Sequence, residues 1–316
     1  MTGRRLPPIE VRPRDLSRWR QSATGVDYVH VFEAEEPGPT VMTVGLTHGN
    51  EFCGAEALHW ALDLGLRPRK GVWIVAFSNV AAYARFDANK PLDSRFVDRD
   101  MNRVWRDDWI ATEGTLEAKR AGELLPFVRR ADFLLDIHST SFAVRPFFVG
   151  ANLPRVRGFA ERLGEPKSLL LQNASFDGKV MVEYGGFADP ASTKTALVVE
   201  CGAHFLRGSV AVAKHVLMAF LDATGVVEPQ VARRLAPAIP PSEPGVYTIE
   251  KVHVAKHADL KFMAPYEGFE EVAKGTVIAM DGPEPVVAPF DRCAVLFPKA
   301  QPMQGRELVT LAQRID

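Results

Sequence analysis

The chain has 316 residues, of which 47% are hydrophobic and 24% charged, with 38 basic against 39 acidic side chains. This length predicts a main domain of about 200 residues or more with a smaller appendage. The balanced charge does not indicate a nucleic-acid or membrane partner, and the three widely spaced cysteines argue against a disulfide framework. The first residues lack the apolar core of a secretory signal, so we expect a cytoplasmic protein, and a homo-oligomer is compatible with the composition.

Apolar runs and helical stretches alternate along the first two thirds of the sequence. A short helix is predicted from Asp15, a suitable N-cap, to Gly25, a suitable stop. Apolar runs without polar alternation predict strands covered on both faces, at 41–46, 72–77, 133–137 and 196–199. Helices are predicted between them, notably at 51–64, 115–129 and 209–222. This order predicts an α/β fold with a doubly wound mixed sheet flanked by helices.

The composition changes near residue 237. Residues 237–245, "PAIPPSEPG", contain four prolines, which neither a helix nor a central strand accepts, so we interpret this segment as a linker. Short β-type segments follow and predict a small all-β barrel or sandwich at 246–316, after an α/β domain at 1–236. Within this β region, His253 and His257 are expected at the surface.

A possible metal site lies in "GLTHGNEFCG", where an apolar strand runs into a helix. Here His48 and Glu51 are three residues apart, so both can face one point above the carboxyl edge of the sheet, where open α/β sheets bind ligands. His138, in "LLDIHSTS", ends another buried strand. Imidazole and carboxylate are good zinc donors, and a catalytic zinc needs three protein ligands and an open place for water. These three residues therefore offer a ligand set for one zinc ion, and an ordinary strand-to-helix turn is the alternative for His48 and Glu51.

Asp136 interrupts the apolar strand that leads to His138. Burial of a carboxylate without a partner costs several kcal/mol, so Asp136 needs a partner. Two residues apart on a strand, Asp136 and His138 share a face, and we predict that the carboxylate orients the metal-bound imidazole through its second nitrogen. Capping of a helix or pairing with an arginine is the alternative for Asp136.

A second polar cluster lies in "SRFVDRDMNRVW", which contains Arg95, Arg99 and Arg103 together with Asn102. Most arginine-rich loops are solvated surface, and that interpretation stays open. Large apolar neighbours in "DMNRVW" favour a guanidinium that is held in place. A fixed arginine beside a neutral amide suits bidentate recognition of a carboxylate.

Glu200 closes the apolar run "TALVVE". A carboxylate at the end of a buried strand, at the same edge of the sheet, is a candidate general base because burial and a nearby metal can adjust its pKa. A helix N-cap or a surface acid is the alternative.

Four motifs together resemble those of the succinylglutamate desuccinylase/aspartoacylase family, a branch of the zinc carboxypeptidase-like fold. In chain order they are "GLTHGNE", "SRFVDRDMNRVW", "LLDIHSTS" and "VVECGAH", and the resemblance covers about residues 40–205. It implies that Arg95, seven residues before Asn102, stabilises the oxyanion, and that Glu200 acts as general base and acid. It also implies zinc binding by the three predicted ligands and a substrate carboxylate held by Asn102 and Arg103.

The resemblance implies a zinc-dependent hydrolase that cleaves the amide bond of a small N-acyl amino acid or related amide. Zinc lowers the pKa of its bound water to about 7, and Glu200 passes the proton to the departing amine. A zinc carboxypeptidase that trims peptides is one alternative, and a non-catalytic protein that binds zinc or a carboxylate ligand is another. Members specific for acidic amino acids carry a further basic residue and a tyrosine before the general base. Tyr184 and Lys194 do not align with them, so the acyl group and the amino acid stay open.

Overall fold

The computed structural model describes residues 6–173, 179–299 and 303–316. Strands and helices alternate up to residue 235, and strands alone follow in the described part beyond it. The strands are β1 (Val29–Glu33), β2 (Glu36–Gly45), β3 (Lys70–Phe77), β4 (Phe133–Thr140), β5 (Phe147–Ala151), β6 (Ser168–Gln172), β7 (Thr195–Ala203), β8 (Gly245–Val254), β9 (Leu260–Phe262), β10 (Glu270–Val272), β11 (Val277–Asp281), β12 (Glu284–Val287), β13 (Cys293–Leu296) and β14 (Glu307–Arg314). The α-helices are α1 (Phe52–Asp63), α2 (Val80–Tyr83), α3 (Asp107–Thr112), α4 (Leu116–Arg130), α5 (Pro154–Leu163), α6 (Arg207–Ala223) and α7 (Pro229–Leu235). Short 3₁₀ turns lie at Ser17–Trp19, Met101–Arg103 and Met181–Glu183.

The main sheet contains 11 strands in the order β1-β3-β2-β4-β7-β5-β6-β8-β14-β13-β10. Its central strands β3, β2, β4 and β7 are parallel, whereas β1 and β5 join them in antiparallel orientation. Parallel neighbours need crossover connections, which place helices on the faces of the sheet. The predicted doubly wound mixed sheet is confirmed, and the four predicted apolar strands correspond to β2, β3, β4 and β7.

Helices cover both faces of the sheet, but unequally. On one face, α1, α5, α6 and α7 contribute to a core that contains Phe52 and Phe220. On the other face, α4 packs with Leu124, and its N-cap Thr115 accepts a hydrogen bond from the backbone N–H of Ala118. The three predicted helices are confirmed as α1, α4 and α6. No helix in the described part of the chain has both the length and the apolar character needed to cross a membrane.

The short helix predicted near the N-terminus is wrong, because the structure has only the 3₁₀ turn Ser17–Trp19 there. The carbonyl groups that would continue a helix have other partners. His30 Nε2 lies 2.8 Å from the Trp19 carbonyl oxygen, and the backbone N–H of Tyr28 donates to the Arg20 carbonyl at 2.8 Å. Contacts with β1 and the residue before it therefore override the local helix signals.

Helix α1 approaches the end of β2 closely because glycines face each other there. A Cβ atom on Gly45 would lie 2.8 Å from the carbonyl carbon of Gly54, and one on Gly54 would lie 2.8 Å from the Ile137 carbonyl oxygen. On Gly49 a Cβ atom would lie 2.4 Å from the carbonyl carbon of Ala82. Only glycine fits these positions. The start of α1 is thereby brought down onto the ends of β2 and β4.

The C-terminal β region continues the main sheet. Strand β8 begins at Gly245, the last residue of the predicted linker, and pairs in parallel with β6. Strands β14, β13 and β10 follow, whereas β12, β11 and β9 form a separate three-stranded sheet. Backbone hydrogen bonds thus join the β region to the α/β part. The division into domains at 1–236 and 246–316 with a linker at 237–245 stays a prediction.

Candidate metal and active site

His48, Glu51 and His138 come together beyond the carboxyl ends of β2 and β4. The Nδ1 atoms of His48 and His138 lie 2.8 and 2.9 Å from the two carboxylate oxygens of Glu51. One ligand atom from each residue lies within 4.8 Å of the other two, and all three side chains are buried. Two imidazoles and a carboxylate are a donor set that suits zinc with an open coordination place, so these residues fit a catalytic metal.

The turn between β2 and α1 positions the first two of these side chains. Leu46 has a φ of 63°, which is uncommon for a residue other than glycine and is found at functional turns. Glu51 occupies the N-cap position of α1, yet its side chain does not cap the helix. The carboxylate turns towards the imidazoles instead, and its Oε2 accepts a hydrogen bond from the backbone N–H of Ser139 at 3.1 Å. The Glu51 carboxylate therefore lies between two histidines and does not cap the helix.

A further carboxylate faces the second nitrogen of each histidine. His138 Nε2 lies 2.7 Å from Asp136 Oδ2, an ion-pair contact without hydrogen-bond geometry, and His48 Nε2 is hydrogen-bonded to Asp100 Oδ1 at 2.9 Å. Asp136 is fully buried, and its other oxygen accepts a hydrogen bond from the Thr47 hydroxyl at 2.8 Å. Carboxylates in this position fix the tautomer and the orientation of a metal-binding imidazole. Sequence reasoning pointed to Asp136 but missed Asp100, whose only local signal is its place beside the Asn-Arg pair.

The arginine-rich loop that contains Asp100 is organised by a buried glutamate, Glu117 of α4. This carboxylate accepts hydrogen bonds from the backbone N–H groups of Val97, Asp98 and Arg99 at 2.6, 3.1 and 3.1 Å. Glu117 is fully buried. Sequence reasoning missed it, because a glutamate in the first turn of a helix ordinarily interacts with the helix dipole at the surface. The loop is therefore shaped around a charge contributed by a different element.

Arg95 lies against both Asp100 and Glu51. Its Nη2 donates to Asp100 Oδ2 at 3.0 Å, and its Nη1 donates to Glu51 Oε1 at 3.3 Å. Burial raises the pKa of Asp100, but the charges of Arg95 and His48 outweigh it, so this pKa stays well below its ordinary value. The guanidinium is thus held next to the candidate metal ligands by two carboxylates.

Asn102 and Arg103 lie in the 3₁₀ turn beyond Asp100. The backbone N–H of Asn102 donates to Asp100 Oδ1 at 2.8 Å, and its side-chain Oδ1 accepts a hydrogen bond from the backbone N–H of Met181 at 3.1 Å. The Arg103 guanidinium donates to the Asn102 carbonyl oxygen at 2.8 Å. Both side chains line the cavity described below. Asn102 and Arg103 are therefore held by hydrogen bonds and face the cavity, so this part of the loop is not simply solvated surface.

Glu200 lies beside His138, because β4 and β7 are parallel neighbours in which these two residues are paired in register. Its Oε2 is buried and has no hydrogen-bond partner among the residues that the structure describes. Burial is the main cause that raises the pKa of Glu200 to about 8, with the charge of His138 opposing it and that of Glu51 adding to it. A carboxylate with a free oxygen and a pKa near neutrality is suited to accept and return a proton.

His204 is a polar residue of the site to which sequence reasoning gave no role, although "VVECGAH" includes it. It is buried and lines the cavity, and its Nδ1 lies 2.7 Å from Ser139 Oγ. Burial lowers the pKa of His204 to about 4, so the ring is neutral at neutral pH. A neutral imidazole here holds Ser139, whose backbone N–H bonds to Glu51.

A cavity of about 240 Å³ opens beside these residues. His48, Glu51, Arg95, His138 and Glu200 line one end of it, and the remainder is lined by apolar side chains together with further polar ones, among them Gln172, Lys299 and Glu307. Tyr184 and Lys194 do not line it. The Tyr184 hydroxyl donates to Asp107, and the Lys194 ammonium donates to the Arg129 carbonyl oxygen. The two residues considered for recognition of an acidic amino acid therefore lie outside the cavity.

Several solved structures share this fold. The chain is similar to succinylglutamate desuccinylase from Vibrio cholerae at 18% identity and a TM-score of 0.69, over 89% of this chain and 83% of that one. It is similar to a succinylglutamate desuccinylase/aspartoacylase from Rhodobacter sphaeroides at 20% identity and a TM-score of 0.61, over 91% and 89%. A product-bound ectoine utilization protein from Ruegeria pomeroyi matches at 20% identity and a TM-score of 0.59, over 90% and 87%. At such identities the likeness shows the fold alone.

A sequence-family model extends the comparison from fold to family. A search of curated proteins finds no match to this sequence. The model of the succinylglutamate desuccinylase/aspartoacylase catalytic domain matches residues 37–202, which is more than half of the 316 residues. That range includes His48, Glu51, His138 and Glu200. The chain therefore belongs to the succinylglutamate desuccinylase/aspartoacylase family and is a hydrolase of the deacylase type.

Proposed function

We propose that the protein is a zinc-dependent amidohydrolase that removes the acyl group from an N-acyl amino acid or a related small amide. One observation carries this proposal. The Nδ1 atoms of two buried histidines meet the same carboxylate, and a further carboxylate faces the second nitrogen of each ring. Such an arrangement orients imidazoles for a metal. Membership of the family supports the deacylase reaction.

In this proposal His48, Glu51 and His138 hold about one zinc ion per chain. Asp100 and Asp136 orient the two imidazoles and fix which nitrogen is available to the metal. When bound, zinc lowers the pKa of a coordinated water to about 7 and polarises a carbonyl oxygen.

The remaining roles fall to other side chains that line the cavity. Glu200 takes the proton from the attacking water and returns it to the departing amine. Arg95 stabilises the oxyanion that develops on the amide, and such a donor is worth about 3 kcal/mol in other oxyanion holes. Asn102 and Arg103 bind the carboxylate of the amino acid. The products are a carboxylic acid and an amino acid.

Zinc content and hydrolysis test the proposal together. The purified protein is expected to hold about one zinc ion per chain and to release amino acids from a panel of N-acyl amino acids. Removal of the metal by a chelator should abolish turnover, and added zinc should restore it. Glu200→Gln should keep the zinc but lower kcat by about 10²–10⁴-fold. The matched control is Glu228→Gln at the exposed start of α7, which should change neither.

Three outcomes would contradict the proposal. Full turnover by metal-free protein would remove the metal from the reaction. Cleavage of short peptides without cleavage of N-acyl amino acids would identify a carboxypeptidase. Zinc binding without hydrolysis of any amide in the panel would identify a binding protein.

A further inference from the structure

Beside Glu200 the cavity is lined by three apolar side chains, Val198, Val149 and Leu170, which we call the floor. Val198, Val149 and Leu170 lie on the neighbouring strands β7, β5 and β6, and Val149 is paired in register with both of the others. Val198 is two residues before Glu200, so both side chains project from the same face of the sheet. All three apolar side chains line the cavity. The part of the lining that these three residues form beside the proposed general base is therefore hydrocarbon.

The C-terminal β region supplies the facing wall. Ile249, Val252, Leu296 and Phe297 line the cavity from strands β8 and β13 and the residue after β13. The ring of Phe297 packs against that of Phe147 on β5, with centroids 5.7 Å apart. This wall is joined to the floor by backbone hydrogen bonds, because β8 pairs with β6. An apolar group between floor and wall would be shielded from water on both sides.

Among the residues that the structure describes, one of the cations that line the cavity is in no ion pair. Arg95 donates to Asp100 and Glu51, and Lys299 Nζ lies 3.5 Å from Glu307 Oε2. The Arg103 guanidinium forms no ion pair with any residue in the described part of the chain, and it donates only to a backbone carbonyl. Arg103 therefore remains to hold a carboxylate of the substrate.

A second substrate carboxylate has no comparable partner. Next to Val198, Val149 and Leu170 it would meet hydrocarbon, where an unpaired charge is costly, and neutral polar side chains elsewhere in the lining, such as Gln172 and Thr310, carry no positive charge to pair with it. It would also be repelled by the carboxylates of Glu267 and Glu307, which line the cavity away from the metal ligands. Succinyl and aspartyl groups, which each carry such a second carboxylate, are therefore disfavoured by this lining.

We infer that the substrate is an N-acyl amino acid with one carboxylate and a large apolar group, carried by the acyl chain or by the amino-acid side chain. The inference rests on the proposed function, because the amide has to lie between Glu200 and the metal ligands. The cavity of about 240 Å³ exceeds the roughly 150 Å³ in which an apolar cavity holds benzene. An aromatic ring or a chain of several methylene groups therefore fits.

Two matched pairs of substrates test the inference on the zinc-loaded full-length protein. N-hexanoylglycine is compared with N-succinylglycine, and N-acetylleucine with N-acetylaspartate. Each buried methylene is worth about fourfold, so the apolar member of at least one pair should have a kcat/KM at least about tenfold higher. The first pair assigns the apolar group to the acyl side and the second to the amino-acid side. If the acidic member is hydrolysed as fast or faster in both pairs, the inference is overturned while the proposed function stands.

A substitution in the wall provides an independent test. Val252 is partly exposed, so the larger side chain of Val252→Phe can occupy part of the cavity without displacing core residues. It should lower the ratio of kcat/KM for the larger apolar substrate to kcat/KM for N-acetylglycine by about tenfold. The control is Lys251→Phe at the neighbouring exposed position, which does not line the cavity. An unchanged ratio in a folded Val252→Phe variant would contradict a substrate that contacts this wall.

A binding measurement tests the inferred substrate preference without requiring hydrolysis. Zinc-loaded Glu200→Gln protein should bind the apolar member of a pair at least about tenfold more tightly than the acidic member in calorimetry. If no substrate is hydrolysed by the unmodified protein, the proposed function fails, and this comparison still decides the inference. Tighter binding of the acidic members in both pairs would refute it.

Discussion

Two regions of the molecule bring two histidines and a carboxylate together, and they differ in what satisfies the carboxylate. At the candidate metal site, both imidazoles aim Nδ1 at Glu51. In the C-terminal region, His253 Nε2 and His257 Nδ1 lie 2.9 and 3.2 Å from the buried Asp281. Asp281 also accepts hydrogen bonds from the backbone N–H groups of Lys256 and His257.

Two histidines and a carboxylate therefore form a candidate ligand set at the metal site, whereas in the C-terminal region they hold a loop in place. The backbone N–H groups that donate to Asp281 would lose these hydrogen bonds only if the loop unfolded. The Asp281 oxygens are therefore occupied by hydrogen bonds that stabilise the fold. Among the described residues, only His48, Glu51 and His138 bring their ligand atoms close enough for a metal. The prediction that both C-terminal histidines lie at the surface is wrong for His253, whose side chain is 14% exposed.

The largest expected difference between the two regions is in the effect of replacing a histidine. His48→Ala should lose the zinc and lower kcat on the order of 10³-fold, because the activated water is lost. His253→Ala should keep both metal and turnover. Elemental analysis of the purified variants and their initial rates measure the difference. Equal loss of zinc from the two variants would break the comparison.

In metal-free protein, Glu200 and Asp281 should give opposite dependences of stability on pH. Burial raises the pKa of Glu200 from 4.5 to about 8, so the folded state holds this proton more tightly and stability falls as pH rises across that range, by a few kcal/mol. Burial of Asp281 is outweighed by backbone N–H groups and histidines, which lower its pKa below 3.8. Its contribution is present above that pH and is lost as pH falls.

Urea unfolding of metal-free protein between about pH 2 and 9 measures these slopes. Glu200→Gln should flatten the fall in stability at the upper end, and Asp281→Asn should flatten the loss at the lower end. A slope at the upper end that persists unchanged in Glu200→Gln would show that another group titrates there.

Asp281→Ala should reduce the free energy of unfolding by roughly 2–3 kcal/mol, because it leaves the backbone donors of Lys256 and His257 unpaired. The zinc content should not change. Asp259→Ala, at an exposed position in the same loop, is the matched control and should have little effect. A loss of zinc in Asp281→Ala would mean that the two regions are coupled.

Asp100→Asn should weaken zinc binding by about 10–100-fold, because it removes the carboxylate that orients His48. The exposed Asp93→Asn serves as control in the preceding loop. Competition with a chromophoric chelator measures both affinities. An unchanged affinity in Asp100→Asn would show that the His48 imidazole is held by other contacts.

Much of the sheet followed from local patterns. Uninterrupted apolar runs predicted the central strands β2, β3, β4 and β7, and three of the helices were recognised from the stretches between them. The helix predicted from Asp15 failed, because the Trp19 and Arg20 carbonyl groups bond to His30 and Tyr28 rather than to the next helical turn. Glu117 and Asp100 were missed for the same reason, since their partners are distant in sequence.

The sequence by itself determined that an apolar strand ends at a His-x-x-Glu turn and that Asp136 shares a face with His138. These are local properties, set by the alternation of side chains along a strand and by the start of a helix. Only the tertiary structure decided that Asp100 reaches His48 across 52 positions and that Val149 and Leu170 extend the floor beside Glu200. Those contacts depend on strand order and register, which arise from packing of the whole chain and not from local preference.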